Sequence, residues 1–309
     1  MAKDLINIIY RWVKSNGQTK YECKEFKVIV SKNRVPNAKN VWMNATFANN
    51  SHKDDSLLSM EPHCICPRNY NRQFIHQFSH AFLWTTKPFD GKIPKNVTLI
   101  THPIWDGTIP AQNYKSGQLP WGQRKNEIVL VANNKTSARP EQLYTLRIQT
   151  MNKLMNKSHN MKLSGYGNKG FKRPWYISPL KNKKQLLNTV KFNLCMENCY
   201  HPKFSHNYFT EKMFDALIAG SVPIYMGCYN IDELNLPKTY IDLRKYTSKT
   251  DKGYVLSNVK GLVNEIKSFD KKKYIKLQKE VEDSINDPNG LYKLISYEAV
   301  FYTMAKALF

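Results

Sequence analysis

Residues 191 to 228 hold side chains that could act on a phosphorylated or hydroxylated ligand. The apolar run Phe192 to Met196 ends at Glu197-Asn198, a polar loop follows, and Tyr208-Phe209-Thr210-Glu211-Lys212 opens a stretch running to Ala219-Gly220. Thr210 is a good N-cap residue, so the spacing predicts a helix from Glu211 to Ala219 that Gly220 stops. The first turn of such a helix offers backbone N–H groups without intrahelical partners and a partial positive charge. Lys212 adds a full charge, and together these suit a phosphate. Glu197 and Glu211 can accept hydrogen bonds from ribose or sugar hydroxyls. The plainer reading keeps Glu211 as a complement to the helix dipole and the remaining residues as core.

Apolar runs separated by turns supply the scaffold these residues need. In the first part, Ile6 to Tyr10, Phe26 to Val30, Ser56 to Met60, Ala81 to Trp84 and Val97 to Thr101 read as buried parallel strands with helices over both faces. Gly107, Pro110, Gly117, Pro120 and Gly122 make residues 107–125 the best linker. Beyond it, Ile128 to Ala132 is a strand, and Pro140 opens a helix through Leu143, Leu146, Met151 and Leu154. A strand at Met161 to Leu163, a short helix near 183–190, and strands Phe192 to Met196 and Val222 to Met226 follow. Helical stretches at about 257–285 and 289–308 close the chain. This alternation predicts an α/β chain with an N-terminal domain over 1–120, a second over 121–285 and a C-terminal helix over 286–309. A ligand cleft is expected at the carboxyl ends of the strands.

Composition narrows the class. At 309 residues, 41% hydrophobic and 12% aromatic, the chain is neither disordered nor fibrous. Its 47 Lys and Arg against 24 Asp and Glu give a formal charge of +23, which invites a nucleic-acid partner. Yet 38 of the cations are Lys and 9 are Arg, whereas base readers favour the bidentate Arg fork. The charge divides as +11 for residues 1–150 and +12 for 151–309, so no basic tail exists. One interval differs: residues 142–196 carry 11 Lys and Arg and no acid, a region that should draw an anionic ligand.

Other motifs carry less. Gly165-Tyr166-Gly167-Asn168-Lys169-Gly170 matches a dinucleotide fingerprint, but Pro174 follows and no acid appears until Glu197, so it reads as a glycine turn. Neither a phosphate-binding P-loop nor an Asp-x-Asp pair occurs. The six cysteines include His63-Cys64-Ile65-Cys66, which lacks a second pair at zinc-site spacing and reads as buried thiols. Leu5 to Tyr10 is too short for a signal-peptide core or a membrane span, and a cytoplasmic location is expected.

The segment Lys191-Phe192-Asn193-Leu194-Cys195-Met196-Glu197-Asn198, then Tyr208-Phe209-Thr210-Glu211-Lys212, then Ala219-Gly220-Ser221-Val222-Pro223, resembles the donor-binding signature of the α-1,3/1,4-fucosyltransferases, glycosyltransferase family 10. That signature reads roughly Phe-x-Leu-x-Phe-Glu-Asn, Tyr-[Val/Ile]-Thr-Glu-Lys and Ala-Gly-x-Val-Pro; Met196 and Phe209 depart from it. Val131-Ala132-Asn133-Asn134 and Arg147 resemble the family's Ser-Asn strand end and its phosphate-contacting arginine. Ser59-Met60-Glu61-Pro62 resembles the motif bearing its catalytic glutamate.

The resemblance implies a GT-B fold of two Rossmann-like, doubly wound domains facing each other across a cleft, the first on the acceptor side and the second binding the nucleotide sugar. It implies inversion at the anomeric carbon, no metal and no cofactor, GDP-fucose or another GDP-sugar as donor, and a glycan or glycoconjugate as acceptor. Glu61 would be the catalytic base. Asn133, Arg147, Glu197, Asn198, Tyr208, Thr210, Glu211 and Lys212 would surround the nucleotide sugar. Two alternatives stand beside this: a transferase for a different nucleotide sugar, and a basic nucleic-acid-binding protein, which would leave the 191–228 constellation without a purpose.

Overall fold

The structure is a computed structural model that describes residues 3–10, 17–44, 46, 48, 52–100, 119–156, 160–167, 170–291, 294 and 297–309. Most of the expected linker, Thr101, Asn168 and Lys169 lie outside the described residues. The chain forms two compact units. The first takes Met1–Ile104, His206–Tyr208 and Leu294–Phe309, the second Trp105–Ser205 and Phe209–Lys293.

The first unit is built on seven strands: β1 (Asp4–Ile9), β2 (Gln18–Glu22), β3 (Phe26–Ser31), β4 (Lys39–Met43), β5 (Ser56–Leu58), β6 (His80–Leu83) and β7 (Val97–Leu99). Their order is β2-β3-β1-β4-β5-β6-β7, and all pairs are parallel except β2 with β3. Ile8 stands beside Val30 on one side and Val41 on the other, all fully buried, which is why these strands read as unbroken apolar runs. Among the described residues the helical cover is a 3-10 turn at Pro67–Tyr70, the four-residue α1 (Arg72–Ile75) and the C-terminal helix Tyr297–Leu308. Tyr70, Phe74 and Phe78 bury themselves against Leu57, Ala81 and Leu83, so a loop does what a longer helix usually does.

The second unit contains β8 (Lys125–Val131), β9 (Lys162–Tyr166), β10 (Tyr176–Ser178), β11 (Val190–Met196), β12 (Val222–Met226) and β13 (Ile241–Asp242), all parallel, in the order β10-β9-β8-β11-β12-β13. A hairpin of β14 (Thr247–Thr250) and β15 (Gly253–Leu256) stands apart. Among the described residues five α-helices accompany them: α2 (Tyr144–Met155), α3 (Lys183–Leu187), α4 (Glu211–Ala219), α5 (Val259–Ser268) and α6 (Lys271–Asn286). The winding direction reverses at β8, with β9 on one flank and β11 on the other. In open α/β sheets ligands bind at the carboxyl ends of the strands at such a reversal.

Two departures from the expected elements have tertiary causes. Helix α2 begins four residues after Pro140 because Gln142 bridges Cys199, and Leu143 N–H and the Glu141 carbonyl bond Asn198 and Tyr200. The single helical stretch expected at 257–285 is two helices, since Asp270 caps α6 by accepting from Lys273 N–H. At the opposite end of the sheet, the buried Arg124 donates to the carbonyls of Leu119, Leu187, Val190 and Ala219 and to the Tyr274 hydroxyl. It ties β8, α3, β11, α4 and α6 together.

Candidate active site

Helix α4 follows its sequence closely. The Thr210 side chain accepts from Lys212 N–H at 3.4 Å, and Gly220 ends the helix in the left-handed region at φ 72°. Glu197, expected to accept from a ligand hydroxyl, instead closes this corner from within. It is fully buried, its Oε1 accepts from Thr210 N–H at 2.9 Å, and its Oε2 accepts from Thr210 Oγ1 at 2.6 Å and from Lys212 Nζ at 3.3 Å. A buried carboxylate persists only when donors compensate its lost hydration, and here three donors do so. Gly227 makes the room, since a Cβ there would overlap Glu197 Cβ and Cγ. The Thr210 hydroxyl is held between Glu197 and Lys212 Nζ, so it fastens this corner. Burial first, then the Glu197 charge, pushes the Tyr225 phenol far up, and its oxygen accepts from Cys228 N–H at 2.9 Å.

Arg147, Glu197 and Asn198 do come together. The Arg147 guanidinium is buried over the Tyr144 ring, with Nη2 at 2.7 Å from the Met196 carbonyl, 2.5 Å from the Glu197 carbonyl and 3.1 Å from Asn198 Oδ1. It therefore places its charge at the carboxyl end of β11, beside the winding reversal. Asn133 lies exposed just past β8, the other strand of that reversal. Gly167 touches this strand end so closely that a Cβ would strike the Ala132 carbonyl. Gly165 lies within β9 against the Trp175 ring, which replaces the expected glycine turn as the reason for this pair. Lys212 and Glu211 are the more accessible members, their side chains 20% and 33% exposed and 3.5 Å apart. Of the cations in the acid-free interval, Lys153 donates to the Leu256 carbonyl, Lys183 pairs with Asp215 and Lys191 sits over the Trp121 ring. That interval is thus in part structural.

Glu61 lies in the first unit, three residues past β5, and is half-buried. Its turn is fixed by two buried asparagines. Asn44, in the left-handed region at φ 64°, accepts through Oδ1 from Met60 N–H, Glu61 N–H and Asn69 Nδ2 at 2.7, 3.1 and 3.0 Å. Asn69 also donates to Ser59 Oγ at 2.8 Å and to the Glu61 carbonyl at 3.1 Å. The carboxylate Oε2 lies 3.5 Å from the Tyr208 hydroxyl, the outer limit of a hydrogen bond. Tyr208 packs away from the β11 corner. Expected beside the nucleotide sugar, it is buried in the core of the first unit, stacked on Trp84 at 5.5 Å. Asn44 and Asn69 belong to no functional motif of the sequence; the one sequence signal for the turn is that Asn tolerates the left-handed conformation at 44.

A profile for glycosyltransferase family 10 (fucosyltransferase), C-terminal part, matches residues 121–283. The chain belongs to glycosyltransferase family 10. Over 67 residues it is 34% identical to the alpha-(1,3)-fucosyltransferase FucT of Helicobacter pylori, a stretch covering 22% of this chain and 13% of that protein. Over 87 residues it is 36% identical to a fucosyltransferase-like protein of Arabidopsis thaliana, covering 28% and 15%. The matched segments thus span a small part of these relatives. In fold it is similar to a crystal structure of α1,3-fucosyltransferase with GDP-fucose, at TM-score 0.56 and 15% identity over 99% of this chain and 90% of that one. The same comparison with a GDP complex gives 0.57. The OtsA apo structure gives 0.53 at 8% identity, over 87% and 72%. The fold of this family 10 chain is of the GT-B type, an α/β architecture with two sheet-centred units.

Proposed function

We propose that this chain transfers fucose from GDP-fucose to a hydroxyl of a glycan acceptor, with inversion and without a required metal. Family membership supports the donor class, and the clamp that Glu197 places on Thr210 and Lys212 carries the site assignment. It fixes a lysine ammonium and a helix N-terminus at the carboxyl end of β11, where a nucleotide diphosphate belongs in such a sheet. Arg147, Lys212 and the first turn of α4 stabilise the negative charge that grows on GDP as the bond from fucose C1 to the diphosphate oxygen breaks. Glu211 and Asn133 accept from or donate to nucleotide and sugar hydroxyls. Glu197, Thr210 and Asn198 hold these groups in place without touching the donor.

Glu61 takes the proton of the acceptor hydroxyl as its oxygen attacks fucose C1 from the face opposite GDP. That is one displacement, and it inverts the anomeric centre. The proton ends on Glu61 and the electron pair of the broken bond on GDP. Tyr208 steadies the carboxylate, and the Asn44 and Asn69 bonds fix the turn that presents it. Donor class is tested by thermal shift against GDP, UDP, ADP and their sugars. Selective stabilisation by GDP, about 2.7 kcal/mol at roughly a hundred-fold excess over Kd, is expected. Stabilisation by UDP in its place would move the chain to another donor.

A further inference from the structure

Arg244 gathers the loops that leave three neighbouring strands. It stands two residues after β13, and its Nε and Nη2 donate to Asp242 Oδ1 and Oδ2, both at 2.9 Å, in the planar fork that a guanidinium offers a carboxylate. Nη2 also reaches Asp232 Oδ2 at 2.9 Å, in the 3-10 turn Ile231–Glu233 after β12. A further bond runs to the phenol of Tyr200, four residues after β11. One cation between two carboxylates leaves no net positive charge for a phosphate, so this cluster holds loops and does not draw the donor.

Tyr200 passes the hold on. Its ring packs against those of Tyr229 at 5.4 Å and Tyr254 at 5.5 Å, and the Tyr254 hydroxyl donates to its carbonyl at 2.9 Å. Its N–H donates to the Glu141 carbonyl at 2.9 Å, Cys199 bridges Gln142, and the Asn198 carbonyl accepts from Leu143 N–H at 3.1 Å. Residues 198–200 and 141–143 therefore run as a short antiparallel strip. One side of it leads into α2, which carries Arg147; the other carries Asn198, whose Oδ1 accepts from Arg147 Nη2. From Glu197 to Thr210 the chain makes no helix and no ladder longer than the Cys199 bridge, so contacts such as these must offset the entropy of ordering it.

We propose that Arg244 is a positioning residue: through Tyr200 it fixes the strip that seats Arg147, so that this guanidinium stands at the carboxyl end of β11 before the nucleotide sugar arrives. The inference rests on the reading of that corner as the donor site. A site ordered in advance leaves less conformational freedom to be lost on binding. Loosening it lowers donor affinity and leaves the turnover of the bound complex nearly unchanged, because the bound donor restores the same arrangement.

The test compares Arg244→Lys and Tyr200→Phe with the wild type. Lysine keeps the charge without the fork, and phenylalanine keeps the ring without the hydroxyl, so neither alters net charge near the diphosphate. Calorimetric titration should give a GDP Kd about ten-fold weaker for Arg244→Lys and about three-fold weaker for Tyr200→Phe. KM for GDP-fucose should rise in parallel, with kcat within about two-fold of wild type. The double variant should lose no more than Arg244→Lys alone, since both act through one bond. In the ligand-free protein, hydrogen exchange at the N–H groups of residues 143 and 200 should quicken in both variants, by about ten-fold in Arg244→Lys. The control Arg34→Lys weakens the Arg34–Asp55 pair of the first unit and should leave GDP binding unchanged. Wild-type GDP affinity in both variants, fully additive losses, or a fall in kcat at constant KM overturns the proposal. Should Arg244→Lys fail to fold, Tyr200→Phe carries the same test. If the wild type binds no GDP, the donor reading falls, and exchange in the ligand-free variants decides the role of Arg244 by itself: quickened exchange supports it and unchanged exchange overturns it.

Discussion

Glu61 and Glu197 each follow the carboxyl end of a parallel strand, β5 in one unit and β11 in the other, and the same topology puts them to different use. Glu197 is fully buried beneath three donors from Thr210 and Lys212. Glu61 is half-buried, Asn44 and Asn69 bond its backbone, and the Tyr208 hydroxyl lies 3.5 Å from the carboxylate. A buried carboxylate gripped by three donors cannot take a proton from a substrate without weakening bonds to donors that would then stand buried and unpaired. One that is only half-buried, on a backbone held by Asn44 and Asn69, can. The comparison teaches that position at a strand end marks a site, while the hydrogen bonds around the carboxylate decide between holding and reacting.

The sharpest way to break the comparison is Glu61→Gln. Transfer should fall by about 10²- to 10⁴-fold, with the melting temperature unchanged, as measured by initial rates and calorimetry. Glu197→Gln should do the reverse in kind: stability drops by about 1–3 kcal/mol in urea unfolding because the amide offers one acceptor where two were used. Gly227→Ala, which drives a Cβ into Glu197, should follow it at a similar cost of about 1–3 kcal/mol. In the first unit, Asn69→Leu releases the Glu61 turn. The expected outcome is a fall in kcat of about ten-fold with GDP affinity retained, a split that separates positioning from donor binding.

The smallest effect concerns the loop between Glu197 and Thr210. His201 accepts from Lys203 N–H through Nδ1 at 3.2 Å and stacks on Phe204 at 4.3 Å, and burial holds its pKa below the usual 6.5. Below about pH 6.5 the unfolded chain takes a proton that the folded chain resists, so stability falls with pH through that window and levels off below the depressed value. His201→Phe should flatten this slope, read as the urea midpoint between pH 7.5 and 5.5; an unchanged slope would assign it elsewhere.

Much of the second unit could be read from local signals. The Thr210 cap, the Gly220 stop and the apolar runs of β11 and β12 agree with one another, and the structure keeps them. Beyond the short apolar run of β4, which is absent from the expected strands, the misses are non-local. Strand β2 is a polar, largely exposed edge strand paired with β3, and an edge without a buried face carries no apolar alternation to detect. The late start of α2 depends on a bridge to Cys199, more than fifty residues away in sequence. The motif around Glu197 named the right residues, but its type could not tell a ligand contact from a buried clamp; only Gly227 and the donors at Thr210 and Lys212 decide that. Tyr208 likewise lies in a recognisable motif yet packs in the core of the other unit, since nothing local to Tyr208-Phe209-Thr210 says that Trp84 awaits it.

The division of labour between the two glutamates is tested most directly by titrating GDP, by calorimetry, into Glu61→Gln and Glu197→Gln side by side. The account predicts a Kd for Glu61→Gln within about two-fold of wild type, and for Glu197→Gln a weakening of about ten-fold or more, or 1.4 kcal/mol, as Lys212 and the start of α4 lose their anchor. Unchanged GDP affinity in Glu197→Gln, or a comparable loss in Glu61→Gln, would contradict it.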